Sequence, residues 1–336
     1  MPKINYKKLK NAAKKIVFSL APLMLLLIVA EILVRIAFFQ KTADEPFALK
    51  LGYRAASEIF LRKRAEQIVE ELRSDPSLRA QNQELLKKTY EYFFSQFLDE
   101  TKKAQARLLV IYLPSDQYDG VQREIMQDRR AFYKELTQKY NVDFIDLAPA
   151  FLEYPSDIAT LLPQNGHLSR FGNKLVVREL SRYIEINMDE IQSKVSYSPS
   201  ERPKIMGFFE PNDDYICRIS PVMPYRVITN KQGLRMEHDL EFPKTKKRIL
   251  CLGDSFTFGP YLDNHDTFPQ LLGAKYPQFE VINGGISSYT ISDELKMFQE
   301  KTKYVEPDLV ILQVLDNDIG DLQKEIIKTK AQTFQK

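Results

Sequence analysis

Short continuous apolar runs recur along the chain, separated by longer segments with apolar residues at helical intervals. Such runs predict strands covered on both faces, since a strand with one solvated face alternates apolar and polar positions. Five strands are predicted in this way, at 108–113, 144–147, 248–252, 279–282 and 309–314. Helices are predicted between and after them, at 122–140, 172–186, 267–275, 292–304 and from 318 onwards. This alternation predicts an α/β fold, a three-layer α/β/α sandwich around a five-stranded parallel sheet.

Between the second and third predicted strands the pattern changes. Residues 195–246 contain prolines that interrupt every periodic pattern, at 199, 203, 211, 221, 224 and 243. A connection of this length is normally functional or structured by other contacts. We therefore expect residues 188–246 to be either a long crossover linker or a partly ordered lid.

The amino terminus has its own pattern. Residues 16–39 are long enough, as a helix, to cross a hydrocarbon core of about 30 Å, and they are apolar except at Ser19, Pro22, Glu31 and Arg35. Six lysines precede this segment and none follows until Lys41. The asymmetry predicts a cytoplasmic tail at 1–15, a transmembrane signal-anchor helix and an extracytoplasmic remainder. A cleaved signal peptide is the alternative. Two helices, 55–73 and 81–103, are predicted to follow.

Composition narrows the functional classes. The net charge of +3 is smaller than the charge of the six amino-terminal lysines, so the remainder of the 336 residues is slightly acidic. Nothing in this distribution favours nucleic-acid binding. Cys217 and Cys251 are too few for a disulfide framework. No Cys/His cluster has the spacing of metal ligands, and we predict neither a metal nor a cofactor.

The strongest candidate for chemistry follows the third predicted strand, where Gly253, Asp254 and Ser255 end an apolar run at a predicted turn. A strand that stops there presents the serine hydroxyl at the carboxyl edge of the sheet, where ligands of open α/β sheets bind. Amides that open the following helix can receive a developing anion. Ser255 is therefore a candidate nucleophile; the alternative is a serine that only caps the helix.

Several segments together resemble the SGNH (GDSL-type) hydrolases. The first block of that family is similar to Gly253–Gly259, the second to Val281–Tyr289 and the third to Pro307–Asp318. The closing histidine block, which the family places last, is similar to Leu161–Gly172 in the first half of this chain. We interpret 45–336 as one circularly permuted domain, in which the late half, 90–187, precedes the early half, 247–336. Two incomplete pieces of separate domains are the alternative.

The resemblance implies a flavodoxin-like sheet whose strands, numbered along this chain, lie in the order 4-3-5-1-2. It also implies that His167 is the base for Ser255, and that the oxyanion is bound by the amides of Ser255 and Gly285 and the side chain of Asn317. The family's His-orienting aspartate is replaced here by Gln164 and Asn165. Asn165 could orient the imidazole, or a backbone carbonyl could do so and leave a Ser-His dyad. The family's usual glycine two residues before the asparagine is Leu315 here.

The resemblance therefore implies a serine esterase or O-acyltransferase that removes or transfers a small acyl group, with acetyl expected. The expected substrate is an acylated carbohydrate, and the expected location is the cell inner membrane with the catalytic domain in the periplasm. A catalytically weak glycan-binding or envelope-assembly protein that keeps the cleft is the alternative, since the aspartate is missing.

Overall fold

Five parallel strands form the central sheet of the structure, a computed structural model that describes residues 76–114, 121–161, 165–193, 199–218 and 223–323. From Ser77 onwards, the described residues belong to one compact unit, Ser77–Ile326. The strands of the central sheet are β1 (Arg107–Leu113), β2 (Asp143–Asp146), β7 (Lys247–Leu252), β8 (Phe279–Asn283) and β9 (Leu309–Leu315). Two short hairpins add β3 (Thr160–Leu161) with β4 (Asn165–Leu168), and β5 (Asp214–Cys217) with β6 (Tyr225–Ile228).

Helices connect these strands. They are α1 (Pro76–Lys103), α2 (Val121–Lys139), α3 (Ala148–Leu152), α4 (Ser156–Ala159), α5 (Arg170–Ser193), α6 (Ser255–Phe258), α7 (Phe268–Lys275), α8 (Ile291–Glu300) and α9 (316–323). None of the described helices is long and apolar enough to cross a membrane. The predicted span 16–39 and the predicted helix 55–73 lie outside the described residues.

The strand order is β2-β1-β9-β7-β8, which confirms the predicted order 4-3-5-1-2 read from the opposite edge. Strand β9 lies at the centre and is buried along its whole length. It pairs with β1 from Arg107↔Leu309 to Leu113↔Leu315 on one side, and with β7 on the other. The two halves of the chain therefore build one sheet, which contradicts the alternative of two separate incomplete domains.

Alternate residues of the strands supply two cores, one on each face of the sheet. Leu108, Val110 and Tyr112 of β1 face the layer of α1, α2 and α8, whereas Leu109, Ile111 and Leu113 face that of α5 and α7. Because successive side chains of a strand point to opposite faces, one continuous apolar run serves both cores. The three-layer α/β/α sandwich predicted from the apolar runs is confirmed.

The proline-rich segment connects α5 to β7, and its described parts, 199–218 and 223–246, are folded onto the domain. The prediction began this segment at 188, whereas α5 continues to Ser193. Antiparallel β5 and β6 form a hairpin within it. The segment is anchored near its end, where Lys244 Nζ donates to Asp308 Oδ2 at 2.7 Å and Arg248 Nη2 donates to the Glu241 carbonyl at 2.6 Å. Side-chain hydrogen bonds and a hairpin therefore organise a stretch that lacks any long periodic pattern.

Candidate active site

The turn after β7 presents Ser255 at the carboxyl edge of the sheet. Gly253 precedes it, and a Cβ atom there would lie 2.4 Å from Thr257 Oγ1, so the turn has no room for a side chain. Asp254 is the N-cap of α6, and its carboxylate accepts from the Phe256 amide at 2.9 Å. Asp254, and not Ser255, therefore caps the helix, which contradicts the alternative that Ser255 serves only as a cap.

His167 reaches this serine from the β3–β4 hairpin. Its Nε2 lies 2.8 Å from Ser255 Oγ. The imidazole stacks on Phe256, with ring centroids 4.9 Å apart, and Tyr261 lies 5.9 Å from it at an angle of 59°. Burial lowers the pKa of His167 to about 4. At neutral pH the ring is uncharged, and with Nε2 unprotonated it can accept the hydroxyl proton of Ser255.

The other two histidines lie elsewhere. His238 and His265 are 58% and 69% exposed, and each lies near a carboxylate, Glu280 or Asp266. Both line a groove beside the edge strand β8. The structure thus brings one histidine to Ser255, the one in the block that resembles the family's closing block.

The predicted oxyanion donors follow the carboxyl ends of three neighbouring strands. The loop after β8 is hydrogen-bonded to the turn that carries Ser255, since the Ile286 amide donates to the Gly253 carbonyl at 3.0 Å. The Gly285 amide, however, donates to Asn283 Oδ1 at 3.0 Å. A Cβ atom on Gly285 would lie 2.3 Å from the Phe258 nitrogen, so only glycine allows this close approach.

Asn317 is similarly engaged. Its Nδ2 donates to Asp254 Oδ2 at 3.2 Å and to Asp321 Oδ2 at 3.3 Å. Both bonds are long for N–H···O contacts and therefore weak. Two of the three predicted donors thus have intramolecular acceptors in this structure, and an oxyanion would have to compete with those acceptors for them.

The resemblance leaves Asn165 or a backbone carbonyl as the partner that orients His167. The backbone of Asn165 begins β4, but its side chain, like residue 164, lies outside the described residues. Asn165 therefore remains a prediction. Among the described residues, no group of His, Cys, Asp and Glu side chains could hold a metal ion.

Three buried carboxyl groups, one of them in the Gly253–Ser255 turn, interact with one another. Asp254, Glu294 and Asp318 are buried, and burial raises the pKa of each carboxyl, with nearby carboxylates adding to the effect. Asp318 Oδ2 accepts from the Leu315 amide at 2.9 Å. Since a buried carboxylate is costly, the rise in pKa is largest for Glu294 and Asp318, whereas hydrogen bonds from Phe256 and Asn317 oppose the rise at Asp254.

Sequence reasoning missed three residues that shape the site. Asp254 is the first, since its type and its position before the helix mark it as an N-cap. Asn283 joins two loops, because its Nδ2 donates to the Phe258 carbonyl at 3.3 Å while its Oδ1 accepts from Gly285. Tyr261 carries no sequence signal, since its place beside His167 depends on an unusual backbone conformation.

Comparisons with known proteins add little to this geometry. No protein-family model matches the chain, and no curated protein matches it. Among solved structures, the chain is similar to the O-acetyltransferase domain of Pseudomonas putida AlgJ, with 10% sequence identity and a TM-score of 0.46. The similarity covers 74% of this chain and 92% of that one.

Proposed function

We propose that this chain is a serine esterase or O-acyltransferase of the SGNH type that acts through an acyl-enzyme on Ser255. The observation that carries the proposal is the 2.8 Å separation of His167 Nε2 and Ser255 Oγ. A serine hydroxyl becomes an effective nucleophile when a base within hydrogen-bond reach takes its proton. The lowered pKa of His167, about 4, supports the proposal because it keeps the imidazole neutral.

In the acylation step, Ser255 Oγ attacks the ester carbonyl carbon and its proton passes to His167 Nε2. The bond to the leaving alcohol then breaks, the imidazolium gives its proton to that alcohol, and the acyl group stays on Ser255. Water or a sugar hydroxyl attacks the acyl-enzyme in the second step and loses its proton to His167, which returns it to Ser255. Water as acceptor makes the reaction hydrolysis, and a sugar makes it transfer.

Negative charge develops on the carbonyl oxygen in both steps. We assign its stabilisation to the amides of Ser255 and Gly285 and to the side-chain amide of Asn317. Gly285 and Asn317 must release or share their present acceptors for this role. Loss of these intramolecular hydrogen bonds is offset in the transition state, since one preorganised donor typically contributes about 10²–10³ in rate.

The fold within this proposal is a permuted SGNH domain. The strand order supports it, because β1 and β2 occupy the places of the family's fourth and fifth strands, while β7, β8 and β9 occupy those of the first three. The hairpin that carries His167 then follows the family's last strand in space, although it precedes Ser255 in sequence.

The proposed substrate is an acylated carbohydrate outside the cytoplasm, with acetyl as the acyl group. The proposed location is the cell inner membrane, with 16–39 as a single span and the domain in the periplasm. The apolar segment and the six lysines before it support this location. The resemblance of the blocks to membrane-linked bacterial SGNH proteins supports the substrate class.

A glycan-binding protein without turnover is the second candidate. One observation favours it: the Gly285 amide and the Asn317 side chain are already hydrogen-bonded to Asn283 and to two aspartates. If these bonds persist with substrate bound, the cleft can hold an ester but cannot stabilise its transition state.

Fluorophosphonate labelling and hydrolysis of p-nitrophenyl acetate distinguish the esterase from the glycan-binding protein. The wild-type protein is expected to label at Ser255. Ser255→Ala and His167→Ala are expected to lower hydrolysis by about 10³ or more. His265→Ala is the matched control, because it removes an exposed histidine, and it should hydrolyse normally. Thermal unfolding verifies that each variant folds.

Near-normal turnover in folded Ser255→Ala or His167→Ala would overturn the proposed mechanism. Absence of label in the wild type, together with a thermal shift on adding an acetylated oligosaccharide, would favour the binding protein instead.

A further inference from the structure

Tyr261 has a backbone conformation that its side chain disfavours. It lies six residues after Ser255, in the loop that follows α6, and its φ is +64°. Left-handed backbone is uncommon for a bulky residue, because Cβ crowds the neighbouring peptide. Such conformations persist where the surroundings impose them, and they cluster at functional sites.

A buried guanidinium imposes the conformation. Arg235 is fully buried, and it donates at 2.5–2.9 Å to the carbonyls of Phe258, Gly259 and Leu262. These acceptors lie on both sides of Tyr261 in sequence, so one rigid group fixes the path of the loop through that residue. Burial lowers the pKa of Arg235 to about 10, and the guanidinium is still charged at neutral pH.

The loop directs the Tyr261 ring towards His167. The ring lies 5.9 Å from the imidazole and 5.8 Å from the Tyr225 ring. It packs against the apolar cluster of Tyr225, Val227 and Phe258, two of which belong to the β5–β6 hairpin. The proline-rich segment therefore supports the Tyr261 ring from behind, and that ring contacts the proposed base.

Two aromatic rings thus contact the imidazole, Phe256 stacked on it and Tyr261 inclined to it. Phe256 belongs to the same turn as Ser255. Tyr261 comes from a loop that a buried arginine and a separate hairpin hold in place. A ring fixed in this way restricts rotation of the imidazole and excludes water from part of its surface.

We propose that Tyr261 is a positioning residue whose ring holds His167 against Ser255. The proposal rests on the proposed esterase function for its kinetic consequence, but the placement of the imidazole is measurable without turnover. Among the described residues, burial accounts for the lowered pKa of His167. The titratable side chain whose contact with the imidazole the structure describes is Tyr261.

The first test is an NMR titration of the imidazoles in the full chain and in Tyr261→Phe, Tyr261→Ala and Tyr261→Leu. Wild-type His167 is expected to titrate near pH 4, and Tyr261→Phe should leave it there. Tyr261→Ala should move it towards 6.5, the ordinary value, because water then reaches the ring. Tyr261→Leu keeps apolar packing on Tyr225 and replaces the alanine variant if that variant does not fold. It should shift the pKa of His167 in the same direction.

The signals of His238 and His265, both of which are exposed, serve as internal references. A folded Tyr261→Ala or Tyr261→Leu variant in which His167 titrates as in the wild type would overturn the proposal. The titration does not depend on esterase activity. Failure of the positioning role is therefore distinguishable from failure of the proposed function.

The second test is kinetic. Tyr261→Ala is expected to lower kcat on p-nitrophenyl acetate at least tenfold with KM little changed, while Tyr261→Phe stays near the wild type. Tyr92→Ala, which removes an exposed tyrosine from α1, is the matched control and should leave kcat unchanged. Equal loss in Tyr261→Phe would mean that the hydroxyl acts directly. A rise in KM alone would mean that the ring contacts substrate. Either result would overturn a positioning role.

Discussion

At the scale of single residues, the protonation state of His167 governs what the site can do. A base must be neutral to accept the serine proton, so activity is present above the pKa of the imidazole and is lost as pH falls through it. Burial has lowered that pKa from 6.5 to about 4. The acid limb of kcat/KM is therefore expected near pH 4 to 5.

Hydrolysis of p-nitrophenyl acetate between pH 3.5 and 8 measures this limb, and the wild-type profile should be nearly flat from pH 6 to 8. A midpoint near 6.5 would contradict the prediction and would indicate that water reaches the imidazole during turnover. Circular dichroism at each pH separates loss of activity from acid unfolding.

At Gly285, close backbone contacts leave no room for a side chain. A Cβ atom at this position would lie 2.3 Å from the Phe258 nitrogen and 2.6 Å from the Thr257 carbonyl carbon, and backbone atoms cannot move aside cheaply. Gly285→Ala is expected to lower the free energy of unfolding by about 1–3 kcal/mol, as overpacking does, and to reduce esterase activity.

Urea unfolding measures the change, and Gly273→Ala is the control. Gly273 lies in α7, and a Cβ atom there would meet Val281 at an ordinary 3.4 Å. That variant should be neutral or more stable by up to about 1 kcal/mol, because alanine favours helix. Wild-type stability in Gly285→Ala would show that the loop after β8 can shift.

At the scale of elements, α8 contains a buried acid, Glu294, whose ionisation would lower the stability of the folded protein. Glu294 is buried next to Asp318 and Asp254, and burial together with these carboxylates raises its pKa well above the usual range. The folded state therefore keeps this proton at a pH where the unfolded chain has released it. Stability contributed by Glu294 is present at low pH and decreases as pH rises above about 4.3, the pKa in the unfolded chain.

Glu294→Gln removes this dependence. The variant is expected to be more stable than the wild type at pH 8, with the difference shrinking towards pH 5 by up to about 1.4 kcal/mol per pH unit. Thermal unfolding from pH 5 to 8 measures the gap. Glu300→Gln, at the exposed end of the same helix, should show no such trend; a constant gap for Glu294→Gln would contradict the protonated state.

At the scale of the whole molecule, β9 joins the halves of the chain. Among the described strands it comes last in sequence, yet it lies between β1 and β7, so the sheet needs its first and last described strands to be complete. The site has the same property, because His167 precedes the proline-rich segment and Ser255 follows it. Both the core and the proposed chemistry therefore need the full domain.

The membrane topology is a prediction at this scale. Six lysines precede residues 16–39, and basic residues are retained on the cytoplasmic side. Protease added to the outer face of the inner membrane, in spheroplasts, is expected to digest epitopes placed after residue 45. An epitope before residue 16 should be protected and serves as the control. Protection of the downstream epitopes would contradict the orientation.

The local pattern of the sequence predicted the strands and most described helices, since apolar runs and helical periodicity are properties of neighbouring residues. The short elements were missed for the same reason: β3, β4, β5 and β6 are too brief to show a period. Ser255 was identified from turn chemistry, and His167 was identified only through the resemblance of its block. The strand order also came from that resemblance, because apolar runs do not specify which strands are neighbours.

By itself, then, the sequence determined an α/β domain with a serine on a strand-to-helix turn. Tertiary structure decided the rest. It brought His167 to Ser255 across 88 residues, bonded Gly285 and Asn317 to internal acceptors, and turned Tyr261 towards the imidazole through Arg235. These contacts depend on loops that meet at one edge of the sheet, and their geometry follows from the packing of distant segments, which no local pattern encodes.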